Sequence, residues 1–295
     1  MVSIDNCTYG IIGLGLMGGS FAKALKKSVI KNGKIFACDI NQKALEEALL
    51  QGDIDKGFLP LNLKEMLSQC DIIICSLYPK ATEKFILENM QYFKTDALIT
   101  DIAGVKQQLI NHIVPKLRKD ITFIPGHPMA GSEREGYYNA SEKIFFNRNY
   151  ILLPLENTSS EKLSQLKEII TKLGFKQIIE TTANNHDHKI AFTSQLCHII
   201  ASCLVESAED SHITAFGGGS FEDLTRIAMI NAPLWTELFL SNKDALINHL
   251  ESFEKSLQLV KELLLHDNKE DLQKLLEEVR LKRIEMAQTD SSQKR

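Results

Sequence analysis

Two groups of residues in this chain have the types and spacing to do chemistry. The first is Gly13-Leu14-Gly15-Leu16-Met17-Gly18, placed directly after the apolar run Tyr9-Gly10-Ile11-Ile12 and before a helical run through Ser20, Phe21, Ala24 and Leu25. Glycines at a strand-to-helix turn let backbone N–H groups approach a pyrophosphate closely. A bare G-x-G-x-x-G occurs in many ordinary turns, but here a second apolar strand, Lys34 to Cys38, follows and ends in an acid, Asp39. An acid at that distance would accept hydrogen bonds from a ribose 2′-OH and 3′-OH and repel a 2′-phosphate, which favours NAD over NADP. The competing reading is that Asp39 only caps the helix that starts near Asn41. Ser76 and Asp101, at the ends of two later strands, join the glycine-turn residues and Asp39 as candidate cofactor contacts.

The second group is Pro125-Gly-His-Pro-Met-Ala-Gly-Ser-Glu133. His127 stands between Gly126 and Pro128 and follows an apolar strand, which argues against a solvated surface histidine. A neutral imidazole there can take the proton of a substrate hydroxyl while hydride leaves the same carbon for a nicotinamide.

These residues need a scaffold, and the chain supplies one by alternating short apolar runs with amphipathic ones. Strands are expected at 10–12, 35–38, 71–76, 97–101, 122–125, 149–153 and 177–180. Helices are expected at 42–51, 63–69, 80–90, 105–117 and 160–173, where Leu and Ile recur at three- and four-residue spacing. Alternation of this kind predicts an α/β Rossmann-type, doubly wound parallel sheet, with ligands bound beyond the carboxyl ends of its strands. After about Thr182 the rhythm stops and helices are expected at 186–208, 221–230, 233–265 and 269–287. The expected domains are therefore a cofactor-binding domain over 1–182 and an all-α substrate and dimerisation domain over 183–295. Leu257, Val260, Leu263, Leu264, Leu272, Leu275, Leu276 and Val279 put apolar surface on more than one side of the last helices, so a homodimer is expected through them.

Composition narrows the class. The chain has 295 residues, 34 Lys and Arg against 38 Asp and Glu, and a formal net charge of −4. That charge is spread along the chain and offers no basic stripe for nucleic acid and no polybasic patch for a membrane. No apolar run reaches the roughly 18 residues of a membrane span. The six cysteines include no C-x-x-C and read as reduced core residues of a cytoplasmic protein. No metal is called for, and the polar tail Thr289 to Arg295 is expected to be disordered.

Taken together, G-L-G-L-M-G-G-S (13–20), T-D-I-A-G-V-K (100–106), G-H-P-M-A-G-S-E (126–133), N-H-D (185–187), S-Q-L-C-H (194–198) and D-L-T-R-I-A (223–228) resemble the prephenate and arogenate dehydrogenases of tyrosine biosynthesis over nearly the whole chain. The resemblance implies NAD-dependent oxidative decarboxylation of prephenate to 4-hydroxyphenylpyruvate, with the site between the two domains. It makes His127 the catalytic histidine and Arg226 the arginine that grips substrate carboxylate. It also brings Ser132, Glu133, Ser194, His198 and Trp235 to the substrate pocket. For Ser194, His198 and Trp235 a packing role is the alternative, and His186 and Asp187 serve equally well as a helix cap.

Three positions depart from the family pattern. Gly104 stands where Ser is common, Gln195 and Cys197 where His and Pro are common, and Glu222 where Arg is common. The segment 194–198 contains no acid, which favours prephenate over the ammonium-bearing arogenate, with Glu133 and Glu222 the residues that would reverse that preference. Tyrosine is a plausible inhibitor, acting at the active site or the dimer interface. Two other readings are weaker. A β-hydroxyacid dehydrogenase requires a Lys-x-x-x-Asn motif, and Lys189 is followed at that spacing by Thr193. A non-catalytic NAD-binding regulator would fit Gly104 but not the presence of both His127 and Arg226.

Overall fold

The computed structural model describes residues 3–292. Its central feature is a six-stranded sheet in the order β3-β2-β1-β4-β5-β6, with every pair parallel. The strands are β1 (Thr8–Ile12), β2 (Lys34–Cys38), β3 (Lys56–Phe58), β4 (Ile72–Cys75), β5 (Leu98–Asp101) and β6 (Thr122–Phe123). Strands β1, β4 and β5 are almost wholly buried, and β4 is the near-continuous apolar run Ile-Ile-Ile-Cys, because both faces of the sheet are covered. Alternate residues go to opposite sides. Tyr9, Ile11, Ile72, Ile74 and Leu98 pack with Phe21 and Leu25 of α1 (Leu16–Ser28) and with Leu166, Ile169 and Ile170 of α6 (Ser160–Lys172). Ile12, Ile73, Cys75 and Ile99 pack on the other side. Their partners there are Met66 of α3 (Leu63–Leu67), Ile86 of α4 (Pro79–Asn89) and Leu109 of α5 (Gln107–Ile113).

The strand order reverses between β1 and β4, whose last residues Ile12 and Cys75 are paired. The crevice of an open sheet lies at such a switch point. Gly13 to Gly15 and Ser76 follow directly from these two strand ends.

A second, three-stranded sheet corrects the expectation of one continuous parallel sheet. It has the order β7-β8-β9, with β7 (Gly126–Pro128) antiparallel to β8 (Asn149–Leu152) and β8 parallel to β9 (Gln177–Glu180). The short strands β3 and β7 were not expected. Helix α2 (Gln42–Leu50) is capped by Asn41, whose side chain accepts from the Ala44 amide.

From Thr182 onward the chain is helical, as α7 (Ala183–Ile190), a π-helical turn (Ala191–Leu196), α8 (Cys197–Glu206), α9 (Gly219–Thr225) and α10 (Ala232–Ser241). The expected helix 233–265 is broken at Asn242 into α10 and α11 (Lys243–Leu265). The chain divides into two compact units, Met1–Lys243 and Asp244–Arg295. The loss of strands at residue 182 and the boundary between compact units therefore fall at different places. In the second unit, α11 and α12 (Lys269–Ser292) leave Leu257, Leu264, Leu276 and Val279 exposed. The tail expected to be disordered from Thr289 is helical through Ser292, and 293–295 lie outside the described residues.

Candidate active site

The glycine turn is built by three glycines with three different tasks. Gly13 has φ +86°, and a side chain there would meet the Ser76 carbonyl oxygen at 2.7 Å. Gly18 sits against the Gly13 carbonyl, with Gly13 C 3.0 Å and Ile11 Cγ2 3.2 Å from where its Cβ would be, so α1 can pack onto β1 only without a side chain. Gly15 faces open space, with nothing within 4 Å of a Cβ. It is also the N-cap of α1 and makes no side-chain cap bond, so the first-turn amides of that helix remain available to an anion. The helix starts at Leu16, earlier than the Ser20 run suggested.

Asp39 is held in place rather than used as a cap. Its Oδ2 accepts from the Leu14 amide at 2.5 Å and its Oδ1 from the Asn41 amide at 2.7 Å, which fixes the carboxylate at the end of β2. The Ser76 hydroxyl oxygen is buried and has no protein partner among the described residues. An orphaned hydroxyl, an open glycine and unpaired helix amides at one switch point fit the phosphate and ribose groups of NAD.

A cavity of about 670 Å³ opens from this turn. Of the expected cofactor contacts, Gly15, Leu16, Met17, Gly18 and Ser76 line it. Gly13, Leu14, Asp39 and Asp101 are not among its walls. Leu14 is a core side chain whose amide is taken by Asp39. Asp101 departs from the expected cofactor contact: it is fully buried and off the cavity wall, its Oδ2 is bound by the Lys106 ammonium and by the Ala103 amide, which braces the loop after β5, and its Oδ1 has no partner among the described residues.

All the residues expected at the substrate end line the same cavity: His127, Ser132, Glu133, Ser194, His198, Arg226 and Trp235. His127 is placed by β7, where it pairs with Ile151 of β8. Gly126 beside it is required because a Cβ would meet the Tyr150 hydroxyl at 2.5 Å. His198 and Trp235 stack, with ring centroids 3.6 Å apart and planes at 29°. His198 Nδ1 lies 2.9 Å from the Ser194 carbonyl, so this nitrogen carries the proton and the other is an acceptor. Arg226, on a 3₁₀ turn after α9, lies 3.7 Å from Glu133. With these side chains 58% and 39% exposed, the pair is loose and leaves the guanidinium N–H groups free to receive a carboxylate. Glu133 is held below the usual carboxylate range by its own backbone amide and then by Arg226.

Beneath the cavity lies a chain of polar contacts that the sequence did not order. His127 Nδ1 is 2.9 Å from His186 Nε2, and His186 Nδ1 is 2.7 Å from Asp187 Oδ1. Asp187 accepts from the Lys106 amide at 2.9 Å and the Gln107 amide at 2.8 Å, at the start of α5. The cap of α7 is instead Thr182, so His186 and Asp187 are free for this task. Burial, then the neighbouring His186 and Lys106, push His127 well below the ordinary imidazole pKa, so it is a neutral base. The quoted motifs contain Lys106 and Gln195, and the expected helix 233–265 contains Leu238, without giving any of them a contact. The signal for the first was a lysine five residues after Asp101 in a run otherwise apolar or small. Gln195 lies at the cavity wall but is fully buried and bridges the Leu238 carbonyl at 3.0 Å and the Asn242 amide group at 2.8 Å, so its amide is held as a strut.

Comparison with known proteins agrees with this arrangement. Residues 21–179 match the family described as prephenate dehydrogenase, nucleotide-binding domain, and residues 182–278 match prephenate dehydrogenase, dimerization domain. The prephenate dehydrogenase of Lactococcus lactis is 32% identical over 89% of this chain and 72% of its own length. That of Bacillus subtilis is 29% identical over 89% of this chain and 71% of its own. A crystal structure of prephenate dehydrogenase from Aquifex aeolicus with hydroxyphenyl propionate and NAD+ has 31% identity and a TM-score of 0.87, covering 97% of this chain and all of the other. This chain belongs to the prephenate dehydrogenase family.

Proposed function

We propose that the chain oxidises prephenate with NAD+ to 4-hydroxyphenylpyruvate, carbon dioxide and NADH. The observation that carries this reading is one cavity whose walls hold a neutral His127, a free Arg226 and the open turn Gly15 to Gly18. NAD, when bound, supplies the hydride acceptor. His127 Nε2 accepts the proton of the ring hydroxyl, and returns it to the same oxygen once carbon dioxide has left and the ring has become a phenolate, giving the phenol. Arg226 grips a carboxylate of the dianion with two parallel N–H donors, which a lysine would not reproduce. The stacked His198 and Trp235, with Leu234 and Leu238, give the ring a flat and largely apolar wall that keeps water out. Ser132 and Ser194 supply hydroxyls along the same walls.

Prephenate is favoured over arogenate because the segment 194–198 brings no acid to the cavity, and Glu135, one of the two acids on its wall, accepts from the Asn231 amide group at 2.6 Å. Glu133, only loosely paired with Arg226 at 3.7 Å, is the wall acid that would reverse that preference. Residues 1–182 serve the cofactor and supply His127, Ser132 and Glu133 to the substrate pocket, and 183–295 supply the rest of that pocket and the homodimer, which forms through the exposed apolar residues of α11 and α12. Tyrosine, which shares the product's ring and side-chain skeleton, competes at the same cavity. Six free thiols suit a reducing cytoplasm.

The test is NADH formation from prephenate or L-arogenate, each with NAD+ and NADP+. Turnover is expected with prephenate and NAD+. Silence with all four pairs, in protein that binds NAD, would leave a cofactor-binding regulator as the better reading.

A further inference from the structure

We propose that His186 is the positioning residue for the catalytic base, fixing both the orientation and the tautomer of His127 from the ring edge opposite the substrate. The proposal rests on the dehydrogenase reading above and deepens it.

The argument starts at Asp187. Its carboxylate accepts from the amides of Lys106 and Gln107, at 2.9 and 2.8 Å, and it is nearly fully buried. A carboxylate serving amide donors is an acceptor only. His186 Nδ1, 2.7 Å away, must therefore carry a hydrogen. Burial keeps the His186 ring neutral, so its Nε2 has a lone pair and no hydrogen. That lone pair faces His127 Nδ1 at 2.9 Å, which must in turn carry a hydrogen. One tautomer of His127 remains, with Nε2 bare, and Nε2 is the nitrogen the reaction needs.

The other side of the ring offers no such hold. A Cβ at Gly104 would lie 4.0 Å from His127 Cε1 and 3.2 Å from Leu238 Cδ2, so the space beside the ring is closed by a leucine methyl and not by a hydroxyl. Among the described residues, His186 is the one hydrogen-bond partner of the His127 ring. The hold is itself anchored: Asn242 donates to the Asp187 carbonyl at 2.8 Å, and the Lys106 ammonium is bound to Asp101. When the substrate proton reaches Nε2, the Nδ1 hydrogen stays on His127, and the imidazolium is stabilised by the acceptor His186 and, behind it, the negative Asp187.

The experiment uses two replacements in the full chain. In His186→Asn the shorter amide keeps a group where Nδ1 was, facing Asp187, but no longer reaches His127. In His186→Gln the side-chain oxygen reaches the former Nε2 position and can accept from His127. Both are assayed for NADH formation from prephenate, with NAD affinity and thermal unfolding measured alongside. His186→Asn is expected to lower kcat by about 10- to 100-fold with KM for prephenate and NAD affinity unchanged, and His186→Gln to recover most of that loss. Equal kcat in His186→Asn and the unaltered chain overturns the proposal, as does an equal loss in both variants or a loss confined to KM. No turnover by the unaltered chain would instead overturn the dehydrogenase reading, so the two failures are told apart.

Discussion

The glycine turn allows a paired prediction in which the same chemical change, one methyl group, has opposite consequences at two positions three residues apart. In Gly18→Ala the methyl would occupy the space of the Gly13 carbonyl oxygen, with Ile11 Cγ2 at 3.2 Å behind it. A backbone carbonyl fixed by the β1–α1 turn cannot swing aside as a side-chain tip can. Overpacking of this sort costs about 1–3 kcal/mol. For a compact unit of this size each kcal/mol is about 2–4 °C in Tm, so a drop of roughly 2–12 °C is expected. In Gly15→Ala the methyl meets nothing within 4 Å, and the residue's φ of −80° and ψ of −155° are open to alanine. Its stability should stay within about 0.5 kcal/mol of the original. The methyl does, however, stand in the approach to the first-turn amides of α1, and a tenfold or greater loss of NAD affinity, about 1.4 kcal/mol, is expected. At a cofactor concentration of 100 times the original Kd, stabilisation by NAD would then fall from about 2.7 to about 1.4 kcal/mol. Thermal unfolding with and without NAD, together with a calorimetric titration, reads both effects. A Gly15→Ala protein that binds NAD as before, or a Gly18→Ala protein that melts as before, would refute this account of the turn.

The catalytic assignments give further expectations. His127→Asn should lower kcat by about 10²–10⁴ while leaving NAD affinity intact, and near-normal kcat in that variant would remove the general base from the mechanism. Protonated His127 cannot accept a proton, and its pKa is depressed. The acid limb of kcat/KM should therefore lie well below pH 6.5, with activity full above the limb and lost as pH falls through it. A midpoint at or above 6.5 in the pH profile would contradict the burial argument. Arg226→Gln removes a charge-assisted grip of about 1.5–3 kcal/mol and should raise KM for prephenate about 10- to 100-fold with less effect on kcat, measured by steady-state kinetics. Asp39→Ser removes the anion that opposes a 2′-phosphate, so the ratio of kcat/KM for NADP to that for NAD should rise by about tenfold or more; an unchanged ratio would detach Asp39 from cofactor choice.

How much of this was legible in the sequence depended on whether the signal was local. The runs Tyr9 to Ile12, Ile72 to Cys75 and Leu98 to Asp101 are too apolar for any place but a sheet covered on both faces, and the turn glycines follow the first directly. Lys56-Gly57-Phe58 and Gly126-His127-Pro128 are too short, and too rich in glycine or proline, to announce strands. Neighbouring strands recruit them as edges, β3 onto β2 and β7 onto β8. The break at Asn242 has a similar tertiary cause. That residue is worth more as a side chain bonded to Gln195 and to the Asp187 carbonyl than as one more turn of helix.

The site divides along the same line. His127 could be picked out from its neighbours in the chain, Gly126 and Pro128, but the ring that holds it, His186, is 59 residues away, and no local pattern encodes that distance. Asp101 shows the converse. A strand-end acid beside a nucleotide crevice looks like a ligand contact, and only the burial of Lys106 against it shows that its charge is paired inside the fold through one of its two oxygens. Gly104 belongs with these two. It stands where Ser is common, yet Leu238 closes the space beside the His127 ring and His186 holds the ring from the other edge. Gly104→Ser would crowd a leucine methyl at 3.2 Å rather than restore a vacant contact. It follows that this substitution, made alone, should leave kcat within about threefold of the original or lower it, because the base already has its proton arrangement set by His186. A rise of tenfold in kcat would mean that the ring was waiting for a hydroxyl, and that the hold from His186 is too loose to do the work assigned to it.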